Sequence, residues 1–245
     1  MYIKDLEQTL VLIKPDALKN SLTGYVLSQL SEFHTGLCFA GTKVVNVSKM
    51  LAEEHYAEHR GKVFYPSLIE YIMGLIHYPD KPQRQRVIAI VYQGLNSVEK
   101  VREIVGPTNP HSAREQKPGC IRSLGTVVPL INNRGEKIGE RMDNLIHASA
   151  TCGDAEREIK LWFKPNDIPA SMRIYATRQS DVYFYFKDNK LFNEYELDSV
   201  CLLTPGELTW ESDLNALYNI SKGQQAPCSL QAVVAKHLLN NRQEN

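Results

Sequence analysis

The chain has 245 residues, 43% of them hydrophobic, which is enough for one large domain or for an ordinary domain with an appendage. Lysine plus arginine equals aspartate plus glutamate at 28 each, which excludes a global field steering the protein to nucleic acid or membrane and makes any basic site local. Five scattered cysteines without a CxxC pair argue against a disulfide framework and a zinc cage; with no run of ~18 apolar residues and no apolar stretch in Met1-Tyr2-Ile3-Lys4-Asp5, they predict a soluble cytoplasmic protein.

Thr9-Leu10-Val11-Leu12-Ile13 predicts a short buried strand stopped by Lys14-Pro15-Asp16, with the lysine at the strand end, a place for solvated termini or for ligand-facing groups. The spacing of Tyr25, Val26, Leu30 and Phe33 predicts an amphipathic helix closed by Thr35-Gly36, and 37–47 returns as a second strand. Ser48 opens a helix carrying His55-Tyr56-Ala57-Glu58-His59. His-x-x-Glu-His is the spacing of an inverted zinc-protease signature, and against it stands a helix face that packs or binds a ligand. Phe64-Tyr65-Pro66 reads as core or as a platform for a base, followed by helical spacing from Leu68 to Leu75.

Residues 77–86 predict a surface loop, 87–92 a third strand and 97–104 a short helix. Residues 105–122 show almost no periodicity and read as a long loop, functional or disordered. Residues 125–131, the turn Asn132-Asn133-Arg134-Gly135 and a polar strand after it make a hairpin-like piece.

That piece delivers the chain to Asn144-Leu145-Ile146-His147-Ala148-Ser149. A histidine among polar neighbours at the end of a short apolar run is either a packed residue or a presented, reactive imidazole. The helix predicted over 151–163, capped from Thr151, carries Glu158 about two turns in, within reach of the ring, which a carboxylate must orient if one nitrogen is to stay free to attack. From about Met172 the texture changes. A strand at 182–186, a turn at 187–190 and a partner at 191–192 are followed by Thr204-Pro205-Gly206-Glu207, which has the form of a capping box and predicts a helix to about Ile220. A last helix is predicted over 229–239, and no catalytic motif is visible in this tail.

Taken together, the order resembles the nucleoside diphosphate kinase family from Gln8 to about Pro169. The marks are Leu12-Ile13-Lys14-Pro15-Asp16; His55-Tyr56 with Phe64-Tyr65-Pro66; Gly94-Leu95-Asn96; Gly106 with Thr108-Asn109-Pro110; Lys117-Pro118-Gly119 with Ile121-Arg122; Asn144-Leu145-Ile146-His147 with Ser149; and Glu158 with Leu161-Trp162-Phe163-Lys164-Pro165. The resemblance implies an α+β fold, a ferredoxin-like four-stranded antiparallel sheet with helices, in a kinase-like domain over 1–171, plus insertions and a C-terminal α/β extension over 172–245. It implies ping-pong transfer of a γ-phosphoryl group between nucleoside triphosphates and diphosphates, with His147 as nucleophile and Glu158 and Ser149 as its orienting partners. Lys14, Tyr56, Arg102, Thr108, Arg122 and Asn144 fall where the family holds phosphates and ribose, and Phe64 and Leu68 where it sandwiches the base. Mg²⁺ is implied, held through the nucleotide phosphates and not by a protein cage. The implied partners are nucleoside di- and triphosphates and other copies of the chain, with no membrane and no specific nucleic acid. A nucleotide-binding regulatory scaffold derived from the family is the alternative.

The sequence departs from the family pattern at Ala148, Ala150, Ser67 and Pro107, and is longer around 73–86, around 111–116 and between Arg122 and Asn144. The second of these segments lies in a loop through which family members assemble. The third leaves unassigned a family contact to the base just before Asn144.

Overall fold

The computed structural model describes residues 6–239, so the reading of the first five residues lies outside it. Four strands, β1 (Glu7–Ile13), β2 (Cys38–Val45), β3 (Val87–Gly94) and the short β6 (Ile146–Ala148), form an antiparallel sheet in the order β2-β3-β1-β6. Both faces of β1 are covered, which is why its apolar run does not alternate with polar residues. Leu10 and Leu12 point into one core with Ala89, Val91 and Trp162; Val11 and Ile13 point into another with Ile90, Tyr92 and Val101.

The helices are α1 (Pro15–Lys19), α2 (Thr23–Gln29), α3 (Glu32–Thr35), α4 (Lys49–His55), α5 (Tyr65–Ile72), α6 (Ser97–Val105), α7 (Pro110–Gln116) and α8 (Cys152–Trp162), with the hairpin β4 (Thr126–Ile131) and β5 (Lys137–Asp143) between α7 and β6. This is the α+β, ferredoxin-like arrangement that the motif order implies. Two expectations are corrected. The helix expected over 25–33 is two, because Ser31 starts a new cap by accepting from the His34 N–H, and Phe33 consequently stands 96% exposed instead of lying on an apolar face. The loop expected over 105–122 contains α7, capped by Asn109, whose side chain accepts from the His111 N–H at 2.8 Å. Only Pro110 and Ala113 of α7 are buried, so it has no apolar stripe to read. Arg114 anchors it instead, donating to the carbonyls of Ser123 and Gly125 at 2.9 and 2.8 Å.

The tail contains β7 (Thr177–Gln179), β8 (Phe184–Lys187), β9 (Lys190–Phe192), β10 (Val200–Leu203), β11 (Leu208–Trp210), α9 (Glu211–Ser221) and α10 (Leu230–Ala235). The two-residue turn Asp188-Asn189, both at positive φ, joins β8 to β9 as expected. The capping-box expectation at Thr204 is corrected. Glu207 does accept from the Thr204 N–H at 3.1 Å, but Gly206 at φ 84° closes a turn, and β11 precedes the helix, which starts at Glu211.

The tail shares the core of the larger body. Trp210, fully buried in the cluster of Leu10 and Trp162, donates its indole N–H to the Phe163 carbonyl at 2.7 Å, and Ala235 joins the same cluster. Replacing Trp210 with alanine removes both the packing and that bond. Chemical denaturation is expected to read a loss of ~3–5 kcal/mol; a change under about 1 kcal/mol would show that the tail is only loosely attached.

Candidate functional site

Three chain reversals bring the motif residues together. Lys14 follows β1 and precedes the proline that opens α1, and its ammonium is turned towards the segment entering β6. There it donates to Asn144 Oδ1 at 2.7 Å, and Asn144 in turn donates to the Thr108 carbonyl at 2.9 Å. Leu145 adopts a left-handed conformation, φ 69°, that costs a side-chain-bearing residue energy. Its backbone is held from both sides: Asp16 Oδ2 accepts from its N–H at 2.9 Å, and its carbonyl accepts from the Lys14 N–H at 2.9 Å. Asp16 thus fixes the turn that aims the next residues, a role sequence reasoning did not assign to it.

His147 follows on β6. Its Nε2 lies 2.8 Å from Glu158 Oε2, and Ser149 Oγ donates to the same oxygen at 2.6 Å while accepting from the Leu10 N–H. Thr151 caps α8 by accepting from the Asp154 N–H at 3.1 Å, so the helix carries Glu158 under the ring as expected. Burial alone would raise the Glu158 carboxyl; the charge and hydrogen bond of His147, with His55 and Ser149, outweigh it and hold the group at about 2. A carboxylate facing Nε2 makes that nitrogen the protonated one and leaves the lone pair on Nδ1.

A cavity of about 390 Å³ opens in front of the imidazole. Lys14, Arg102, Thr108, Arg122 and Asn144 line it together with Tyr56, Phe64 and Leu68, and His147 and Glu158 are also in the wall. Ser149, wholly buried, stands behind Glu158. Every residue expected at the site from the sequence is therefore at this cavity or in direct contact with its lining.

The cations are preset. Arg122 donates to the Gly106 and Ile146 carbonyls at 3.0 and 3.2 Å, and burial, then Arg102, lowers it to about 10. Burial, then Arg122, lowers Lys14 to about 7, against the opposing pull of Asp16 and Asp143. An anion in the cavity would favour the charged form of Lys14. For the free protein, kcat/KM for an anionic substrate is therefore expected to fall as pH rises through about 7, with kcat less affected; a flat profile from pH 6.5 to 8.5 would remove Lys14 from the site.

The His-x-x-Glu-His spacing does not converge on one ion. His59 stacks on Tyr56 and meets Phe64 edge-on, whereas His55 is buried beneath His147, with ring centroids 4.5 Å apart. Among the described residues, the group close enough to share a metal is His55, His147 and Glu158. Trp162 N–H donates to His55 Nδ1 at 3.2 Å, so the neutral ring carries its proton on Nε2 and has no lone pair there for a metal. Two imidazoles and one carboxylate also suit a hard divalent cation poorly.

The family described as nucleoside diphosphate kinase matches residues 7–168. The chain is 38% identical over 166 residues to a nucleoside diphosphate kinase of Pyrococcus furiosus, covering 68% of this chain and 88% of that one. It is also 38% identical over 163 residues to one from Staphylococcus aureus strain MW2, covering 66% and 91%. A crystal structure of the Aquifex aeolicus nucleoside diphosphate kinase superimposes with a TM-score of 0.52 at 28% identity, over 66% of this chain and 99% of that one.

Proposed function

The chain belongs to the nucleoside diphosphate kinase family and is a nucleoside diphosphate kinase, and on that premise we propose that it carries the transferred phosphoryl group on Nδ1 of His147. The observation that carries this reading is the Glu158 and Ser149 arrangement, which commits Nε2 to a carboxylate and turns Nδ1 into the nucleophile. Nδ1 attacks the γ-phosphorus in line with the bond to the β-phosphate oxygen; that bond breaks and the diphosphate leaves. A terminal oxygen of a second diphosphate then attacks the phosphohistidine and restores the lone pair. Lys14, Arg102, Arg122, Thr108, Tyr56 and Asn144 position the phosphates and ribose and offset charge developing in transfer, and Phe64 and Leu68 hold the base.

The family works with a divalent metal. We take it to be Mg²⁺, which would arrive with the nucleotide and, when bound, would offset the charge of the phosphates; the donor set at the cavity offers it no cage. We read the chain as a kinase domain to residue 171 with an extension beyond it, acting as a homo-oligomer in the cytoplasm. No helix among the described residues is long and apolar enough to cross a membrane, and all five cysteines are unpaired, which supports a reducing compartment. A regulatory scaffold is not favoured, because it would not need a nucleophile held with its acceptor carboxylate in this way.

The test is to mix the protein with [γ-³²P]ATP and Mg²⁺, remove nucleotide and follow the label. Acid-labile, base-stable label that GDP discharges as GTP is expected; a folded, nucleotide-binding protein that takes no label would overturn the reading.

A further inference from the structure

Lys14 is brought down to about 7, so near neutral pH its charge depends on what faces it. Asp16 faces it from α1, Tyr71 from α5, Arg122 from the turn after α7 and Asp143 from the end of β5, with His55 of α4, which burial keeps neutral, beyond them. Its Nζ lies 5.2 Å from the centroid of the fully buried Tyr71 ring, and the Arg141 guanidinium lies 5.9 Å from the same ring. Burial and Arg122 work against the ammonium, and the two carboxylates work for it.

Those carboxylates are not equivalent. Asp16 is committed to the Leu145 N–H, and burial raises its carboxyl above the usual range. Asp143 is held by the two segments in which the chain is longer than the family pattern on either side of α6 and α7. The segment between Arg122 and Asn144 folds as the β4-β5 hairpin, and Glu140, Arg141 and Met142 of β5 return to the cavity wall. Arg141 donates to Asp143 through Nε at 2.6 Å and Nη2 at 3.1 Å, and to Ser67 Oγ at 3.1 Å. His77, from the segment 73–86, brings Nε2 to 3.2 Å from Asp143 Oδ2 and stands edge-on to Tyr71, with ring centroids 5.5 Å apart. Burial alone would raise the Asp143 carboxyl, but His77 and Arg141 outweigh it and hold the group below the usual carboxylate range. Asp143 therefore stays an anion at neutral pH. The next residue, Asn144, accepts from Lys14 Nζ at 2.7 Å, so two consecutive residues supply the ammonium with its acceptor and its counter-charge.

Resting on the reading of Lys14 as a phosphate ligand, we propose that Asp143, clamped by Arg141 and His77, is a positioning residue that keeps the Lys14 ammonium charged against Tyr71 and Asn144, so that the two long segments set the pH range in which the cavity holds phosphates. The influence travels as charge, which gives it a sign. Asp143→Asn keeps the size of the side chain and an acceptor for Arg141, but it removes the anion and leaves Arg141 without its carboxylate; both changes disfavour the ammonium. Arg141→Gln removes a cation that faces the same Tyr71 ring, and so favours it. Loss of fit alone cannot move one titration in opposite directions.

The test is the pH profile of kcat/KM for ATP, with GDP as acceptor and Mg²⁺ present, in full-length variants whose folding is checked by melting. Titration of the substrate is common to all of them and cancels in the ratio to the parent. Asp143→Asn is expected to move the falling limb down by about one pH unit, which lowers kcat/KM about tenfold at pH 8 and less than about twofold at pH 5.5. Arg141→Gln is expected to move the limb up by about half a pH unit. Ser67→Ala, which removes a bond to Arg141 and no charge, is expected to leave it in place. A limb that neither charge variant moves, or that Ser67→Ala shifts as far as Asp143→Asn does, overturns the proposal; should Asp143→Asn not fold, an unmoved or lowered limb in Arg141→Gln overturns it alone. A parent profile without the limb overturns the reading of Lys14 and this proposal with it, whereas a parent limb that Asp143 does not govern overturns the proposal only.

Discussion

His147→Ala is expected to lower phosphoryl transfer by about 10⁴-fold or more while changing the affinity for ADP by less than about threefold. The split follows from where the groups stand. Lys14, Arg122 and Asn144 are held by Leu145, Gly106, Thr108 and Ile146 through bonds that do not involve the imidazole, so the cavity keeps its cations when the ring is gone. What the ring does support is Glu158. In the intact protein the imidazole offsets the burial of that carboxylate, and without it the carboxyl moves up from about 2. A carboxyl held low contributes stability above its unfolded value near 4.5 and loses it as pH falls towards 2. The variant is therefore expected to melt several degrees lower than the parent at pH 7, with the gap closing only as the pH falls from about 4.5 towards 2. Isothermal titration, single-turnover kinetics and melting curves check the three parts. Transfer within a factor of ten of the parent would remove His147 as the nucleophile, whatever the melting curves show.

Much of the site was legible because its residues are recruited from short, stiff pieces whose ends are marked in the sequence. Lys14-Pro15 ends a strand, Thr151 starts a helix, and each fixes the direction of the side chain beside it. What was not legible depends on contacts between distant segments. Asp16 looks like an ordinary first-turn acid until the chain returns 129 residues later to place Leu145 on it. His55 has a metal-ligand spacing with His59, yet Trp162, 107 residues away, fixes which nitrogen carries its proton. α7 was missed because a cap and one arginine hold it in place of an apolar stripe, and Thr204 to Glu207 was misread because a glycine at positive φ satisfies half of a capping box in a turn. The same limit applies to the hairpin: its strand and turn signals were plain, but nothing local says that β5 returns to the cavity.

The demand placed on Glu158 is stricter than carrying a charge near a histidine, and Glu158→Gln isolates it. Glutamine has the size of glutamate, but Nε2 and Ser149 both meet Oε2, so it still accepts from Ser149 only when its carbonyl oxygen takes that place. Facing Nε2, however, its amide N–H group would require a lone pair on that nitrogen, and a neutral ring that provides one carries its proton on Nδ1, where the phosphorus must be attacked. The alternative orientation puts the carbonyl towards Nε2–H and preserves the tautomer, but without the negative charge that stabilises the positive ring as the phosphoryl group transfers. Both orientations lose rate, and the loss is expected to be about 10²–10³-fold in the single-turnover formation of the phosphoenzyme, with ADP affinity little changed. Glu158→Asp keeps the charge at a longer reach and is expected to lose less than Glu158→Gln. If glutamine supports the parent rate, the carboxylate does not set the tautomer of His147, and Nδ1 loses the argument that makes it the attacking atom.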